Sequence, residues 1–148
     1  MRIALFQPDI AGNVGTILRT AVCLGVAVDL IEPMGFAYAD RALARAGMDY
    51  ADAAEVTRHA DWDAFLERAQ GRIVLMTTRG ATRLDATRFA RDDILLFGSE
   101  GAGVPDPVHD RADLRIAIPM RPSFRSLNVA VSAGIALAEA LRQTGGFP

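Results

Sequence analysis

Ile94-Leu95-Leu96-Phe97-Gly98-Ser99-Glu100-Gly101-Ala102-Gly103-Val104-Pro105 is the stretch that decides the fold. Four consecutive apolar residues leave no polar face, so a strand over Asp93–Phe97 is covered on both sides, as strands of parallel sheets are. The glycines that follow, spaced G-x-x-G-x-G, let the chain turn sharply and let backbone amides approach a ligand. Working outward, the runs Arg2–Phe6, Val26–Ile31, Arg72–Thr77 and Leu114–Ile118 repeat the apolar pattern. Helical patterns separate them. Asn13–Leu24 puts Val14, Ile17, Leu18, Ala21 and Val22 on one face, with Asn13 as its expected N-cap. Asp40–Ala46 is stopped by Gly47. Asp61–Ala69 has Asp61 as cap and an apolar stripe of Trp62, Phe65, Leu66 and Ala69. A last helix runs from about Leu127 to Arg142, with Ser126 placed to cap it. Strands alternating with helices predict an α/β fold built on a parallel sheet.

That last helix carries two apolar stripes. Leu127, Val131, Gly134, Ala138 and Leu141 form one, and Val129, Ala133, Ala136 and Ala140 the other. A helix apolar nearly all round is expected to be buried on more than one side, inside the monomer or against a second copy.

The 148 residues fit one domain, and the first strand begins at residue 2, so a single domain over 1–148 is expected. No apolar run reaches the roughly 20 residues of a membrane span, and the first residues lack the pattern of a signal peptide. A single cysteine, Cys23, excludes an internal disulfide, and His59 and His109 stand too far apart for a zinc motif. A cytoplasmic protein without a metal is the expectation. Net charge is −2, which argues against a strongly basic nucleic-acid binder, yet all 16 basic residues are arginine. Arginine grips phosphate in a bidentate way and stacks on bases, so a local patch can act within a neutral chain. Composition leaves the partner open.

Three segments carry candidate chemistry. In Gln7-Pro8-Asp9-Ile10-Ala11-Gly12-Asn13-Val14-Gly15-Thr16-Ile17-Leu18-Arg19, Arg19 falls off the apolar stripe and shares a face with Gly12, Gly15 and Cys23. From there it is expected to reach over glycines toward the carboxyl end of the sheet, where open α/β sheets bind ligands. A solvated surface arginine is the plainer alternative. The loop after Phe97 is not the dinucleotide G-x-G-x-x-G, and no G-K-[ST] follows, so NAD and ATP are poorly supported. In Ile116-Ala117-Ile118-Pro119-Met120-Arg121-Pro122-Ser123-Phe124-Arg125-Ser126-Leu127-Asn128, two arginines cluster before a helix whose first turn, containing Asn128, favours anionic groups.

Together and in this order, the three segments resemble the motifs of the SpoU (SPOUT) family of RNA ribose methyltransferases. Ile31-Glu32-Pro33-Met34-Gly35-Phe36, Arg45-Ala46-Gly47-Met48-Asp49-Tyr50 and Thr77-Thr78-Arg79-Gly80 add to the likeness, which covers nearly all of the chain. Within that family the nearest group is the small single-domain enzymes that methylate the wobble nucleotide, cytidine or uridine 34, of tRNA. Thr16 and Arg79 stand where relatives commonly have asparagine and lysine.

The resemblance implies what composition and periodicity do not: a C-terminal trefoil knot, a homodimer, S-adenosylmethionine as cofactor and the anticodon stem-loop of tRNA as partner. Carried over position by position, Met76, Gly98, Ile118, Ser126 and Leu127 are expected to contact the cofactor. Arg19 and Asn128 are expected to be the reactive pair, with Glu100 and Ser126 close by. A guanidinium holds its proton at any working pH, so Arg19 is expected to polarise the ribose hydroxyl while RNA phosphate or water takes the proton. Arg41, Arg45, Arg79, Arg83, Arg88 and Arg125 are the candidates for gripping RNA. A methyltransferase of another RNA, and a non-catalytic RNA-binding protein on the same fold, are the alternative readings.

Overall fold

The structure is a computed structural model, and it describes residues 1–38, 50, 53–80 and 82–148. The helix expected over Asp40–Ala46 lies outside the described residues. In chain order the elements are β1 (Arg2–Phe6), α1 (Ala11–Cys23), β2 (Ala27–Ile31), β3 (Val56–His59), α2 (Trp62–Leu66), β4 (Ile73–Met76), β5 (Thr82–Arg83), β6 (Ile94–Phe97), α3 (Asp106–Arg111), β7 (Leu114–Ala117) and α4 (Val129–Thr144). A short 3-10 turn, Leu84–Ala86, follows β5.

The seven strands form one sheet in the order β3-β2-β1-β6-β4-β7-β5. Every pairing is parallel. The α/β expectation holds, and the five expected strands all appear within a residue of their expected ends. Two strands had no sequence signal. β3 and β5 are the edge strands; β3 has one apolar residue, Val56, and β5 is only two residues long, so pairing with β2 and β7 defines them.

Both faces of the sheet are covered. One carries Ile3, Leu5, Val28, Leu30, Val74 and Leu95 against α1 and α4. The other carries Ala4, Phe6, Ile31, Ile73, Leu75 and Leu96 against Phe65 of α2 and Val108 of α3. On the second face Asp29 is buried and polar side chains surround it: Arg2 donates to both its oxygens (2.7 and 3.1 Å), and His59 Nε2 lies 2.8 Å from Oδ1. This cluster ties β1, β2 and β3 together where an unpaired carboxylate would be costly.

Three helix expectations are corrected. α1 starts at Ala11, because the Asn13 and Val14 amides already bond Ile10 O. Its N-cap is Ile10, which leaves the Asn13 side chain for other partners. The cap of α4 is Asn128, not Ser126: Asn128 Oδ1 accepts from the Ala130 and Val131 amides. α3 was not expected at all, since six residues give too little periodicity. Asp61 does cap α2, accepting from the Ala64 amide at 2.8 Å.

α4 is buried on one side only within the chain. Ala133, Ala136, Leu137, Ala140 and Leu141 are buried, whereas Val131 (51%) and Ile135 (38%) are exposed. The C-terminal end of α4 is tied to residues 87–91. Gln143 donates to Thr87 O and accepts from the Phe89 amide, and Arg91 donates to Thr144 O.

Candidate active site

Four stretches converge at the carboxyl ends of β4, β6 and β7, the end where open α/β sheets bind ligands. They are residues 75–79, 97–104, 116–120 and 126–129. They enclose a cleft of about 840 Å³, to which Ile10 at the cap of α1, Asn13 of α1 and Ser132 of α4 contribute. That volume lies within the roughly 300–1,000 Å³ of small-molecule sites.

Glycines make the cleft possible. Thr77 N–H donates to Ile116 O and β5 pairs with the opposite edge of β7, so the chain leaving β4 crosses the end of β7. A Cβ on Gly80 would overlap the backbone of Ile116 and Ala117. In the second loop Ser99 and Gly103 exchange two backbone bonds of 3.0 and 2.9 Å, and a Cβ on Gly98 would stand 2.7 Å from Gly103 Cα. Side chains larger than hydrogen at 80 and 98 would push these loops apart.

A directed chain of hydrogen bonds runs along one rim. Glu100 Oε2 accepts from the Asp9 amide and Oε1 from Asn13 Nδ2, each at 2.8 Å. Asn13 Oδ1 in turn accepts from Asn128 Nδ2 at 2.9 Å. Asn128 Oδ1 accepts from the first turn of α4. Asp9 closes the circuit by accepting from the Gly101 amide at 3.1 Å. A carboxylate only accepts, so the chain has one sense, and it fixes which end of the Asn13 and Asn128 amides is the donor. One hydrogen on Asn128 Nδ2 is thereby left for a ligand.

Of the residues expected from the sequence, Met76, Gly98, Ile118, Ser126 and Leu127 all line the cleft, as do Glu100 and Asn128. Arg19 does not. It is exposed on α1, with its guanidinium 5.2 Å from the ring centroid of Tyr50. Asn13 is the site residue that sequence reasoning missed, because an asparagine near a helix start reads first as a cap. Asp9 was missed too, since its role depends on Gly101, distant in sequence. Among the described residues no group of three or more His, Cys, Asp or Glu side chains is placed to hold a metal ion.

The SpoU rRNA methylase family model matches residues 1–138. The chain belongs to the SpoU methylase family. Among relatives, it is 51% identical to the tRNA (cytidine(34)-2′-O)-methyltransferase of Ancylobacter novellus over 150 residues, covering 99% of this chain and 95% of that protein. Among solved structures it superposes with a TM-score of 0.92 on one described as giving structural insights into the 2-OH methylation of C/U34 on tRNA. That one is 40% identical, with 96% of this chain and 94% of the other covered. An AdoMet-bound rRNA methyltransferase from Sinorhizobium meliloti superposes with a TM-score of 0.86 at 29% identity, covering 95% of this chain and 55% of that one. Membership of the SpoU family brings with it the knotted SPOUT fold, in agreement with the β4–β5 connection crossing β7. The cleft fits S-adenosylmethionine on its own terms. Apolar walls at Leu75, Phe97, Ile116 and Ile118 suit an adenine ring, and glycine loops offer close backbone groups without bulk.

Proposed function

We propose that this SpoU enzyme transfers a methyl group from S-adenosylmethionine to the 2′-hydroxyl of nucleotide 34, cytidine or uridine, of tRNA. The observation that carries this reading is the Glu100–Asn13–Asn128 chain, which holds an amide donor in fixed orientation at the rim of the cleft. When bound, S-adenosylmethionine supplies an electrophilic methyl group on a sulfonium. Met76, Gly98, Ile118, Ser126 and Leu127 hold the cofactor. Asn128 uses its remaining amide hydrogen to orient the ribose oxygen. The Ser126 hydroxyl, which has no hydrogen bond among the described residues, serves the same centre. Glu100 acts through Asn13 as a positioning group, since both its oxygens are already engaged. Holding the reacting atoms in line lowers the barrier by removing the entropy cost of bringing them together.

Arg19 lies outside the cleft of its own chain, so it meets the ribose in a homodimer, supplied by the second copy. The exposed apolar face of α4 is the surface on which that dimer forms. The Arg19 guanidinium stabilises the developing alkoxide, while RNA phosphate or water accepts the proton. No helix among the described residues is long and apolar enough to cross a membrane. The tRNA substrate places the enzyme in the cytoplasm.

The test is methyl transfer from labelled S-adenosylmethionine to tRNA that lacks the modification, mapped by nuclease digestion and mass spectrometry. Label on the ribose of nucleotide 34, absent with Arg19→Ala, is the expected result. Label at another nucleotide or only in ribosomal RNA would replace the substrate, and no cofactor binding would overturn the reading.

A further inference from the structure

The connection from β7 to α4 lines the cleft at Ile118 and Met120, leaves it, and returns at Ser126. The part that leaves, residues 121–125, is exposed throughout. Among the described residues Phe124 is the most exposed of the large apolar side chains, at 70%. A ring so exposed buries little area within its own chain. The turn that presents it is built: Phe124 N–H donates to Arg121 O at 3.4 Å, Pro122 occupies the second place, and Ser123 in the third has φ 78°. Proline second and a positive φ third is the type II pattern, in which glycine is the easy third residue. A serine there holds the turn at a steric cost, a pattern that recurs at ligand-contacting loops.

The surroundings are cationic. No aspartate or glutamate stands between Asp113 and Glu139, although acids outnumber bases in the whole chain. Arg115 is turned back onto the His109 and Asp110 carbonyls. Arg121 and Arg125 make no ion pair among the described residues; Arg68, Arg88 and Arg91 share that property, but Arg121 and Arg125 adjoin the cleft-lining Met120 and Ser126. Two open guanidiniums flanking an exposed aromatic ring match the chemistry of a single-stranded nucleic acid, with bases stacking on the ring and phosphates meeting the arginines.

We propose that Phe124 stacks on a nucleobase flanking the methylated nucleotide, and that Arg121 and Arg125 hold the adjoining phosphates. This rests on the tRNA reading above and adds the residues that splay the anticodon loop at the cleft mouth. Three residues, Arg125, Ser126 and Leu127, separate Phe124 from Asn128, and two of them, Ser126 and Leu127, line the cleft.

The test uses the full-length enzyme and an unmodified anticodon stem-loop carrying 2-aminopurine beside nucleotide 34. Phe124→Ala is expected to raise KM for the RNA roughly tenfold or more and to abolish the fluorescence change on binding, while Phe124→Trp restores both. The cofactor Kd, measured by calorimetry, and the sedimentation coefficient are expected to stay at wild-type values. Replacing Arg121 and Arg125 together with alanine is expected to flatten the slope of log affinity against log salt by about 1.4. An unchanged KM and fluorescence response would overturn the proposal. So would a shift in sedimentation or cofactor Kd with Phe124→Ala, since the ring would then serve the dimer or the cofactor loop. If wild-type enzyme leaves nucleotide 34 unmethylated, the tRNA reading itself fails, and that result is separate from any effect of position 124.

Discussion

Asn128 closes two hydrogen-bond circuits with one side chain, accepting from the start of α4 and donating to Asn13. The two roles separate under substitution. Asn128→Ala removes the cap as well as the donor, so it is expected to cost about 1 kcal/mol of stability together with methyl transfer. Asn128→Ser keeps a capping oxygen but has no amide to reach Asn13. Its thermal midpoint is expected to stay near wild type while kcat falls roughly ten- to a hundredfold, an amide contact at the reacting centre being worth about 1–3 kcal/mol. Melting curves beside single-turnover rates check this; equal losses of stability and rate in both variants would reduce Asn128 to a cap. The residue types here were legible early. Glu100 and Asn128 stood out because they fall in motif segments, but the link between them runs through Asn13, which local sequence assigns to a helix start.

At the scale of elements, the two glycine loops and the end of α4 hold the cleft in shape. Gly98→Ala puts a methyl group against the Gly103 backbone, which has no flexible side chain to yield. The expected result is a destabilisation of roughly 1–3 kcal/mol and a cofactor Kd raised at least tenfold. Calorimetry on the folded variant decides it, and wild-type affinity would show that the loop opens without harm. On α4, Glu139 accepts from Arg142 and Gln143, and these bonds hold its carboxyl down to about 2 from an ordinary 4.5. A depressed folded pKa means that the contribution is present above the ordinary carboxylate range and is lost as pH falls through about 2. The melting-point gap between wild type and Glu139→Gln is therefore expected at neutral pH and to close progressively below about pH 4.5. The group is partly exposed, so the gap is small and shrinks in high salt. Central strands were readable because burial on both faces demands unbroken apolar runs. The edge strands β3 and β5 were not, because an edge strand owes its conformation to its one neighbour.

For the whole molecule, the exposed Val131 and Ile135 and the position of Arg19 lead to the same expectation. The protein is expected to sediment as a dimer, and Val131→Glu with Ile135→Glu to give monomers that bind cofactor but transfer no methyl group. A mixture of Arg19→Ala and Asn128→Ala chains is expected to recover part of the activity, because each mixed dimer regains one complete site. No recovery from a mixture shown to exchange subunits would return Arg19 to its own chain's cleft. The two stripes of the last helix were visible in the sequence. Which one the chain buries was decided by packing against α1 and the sheet.

By itself the sequence determined the α/β class, the five central strands and the segments that line the cleft, because buried apolar runs and glycine turns are local properties. Its motifs, taken as a resemblance, also supplied the knot and the cofactor, neither of which any periodicity encodes. Tertiary structure alone decided the strand order, the edge strands, Asn128 as the cap of α4 and the Glu100–Asn13–Asn128 chain. It also set Arg19 apart from the cleft. These depend on contacts between residues as far apart as 13 and 128. Such contacts form only when α4 is docked on α1, so nothing in the neighbourhood of either residue announces them.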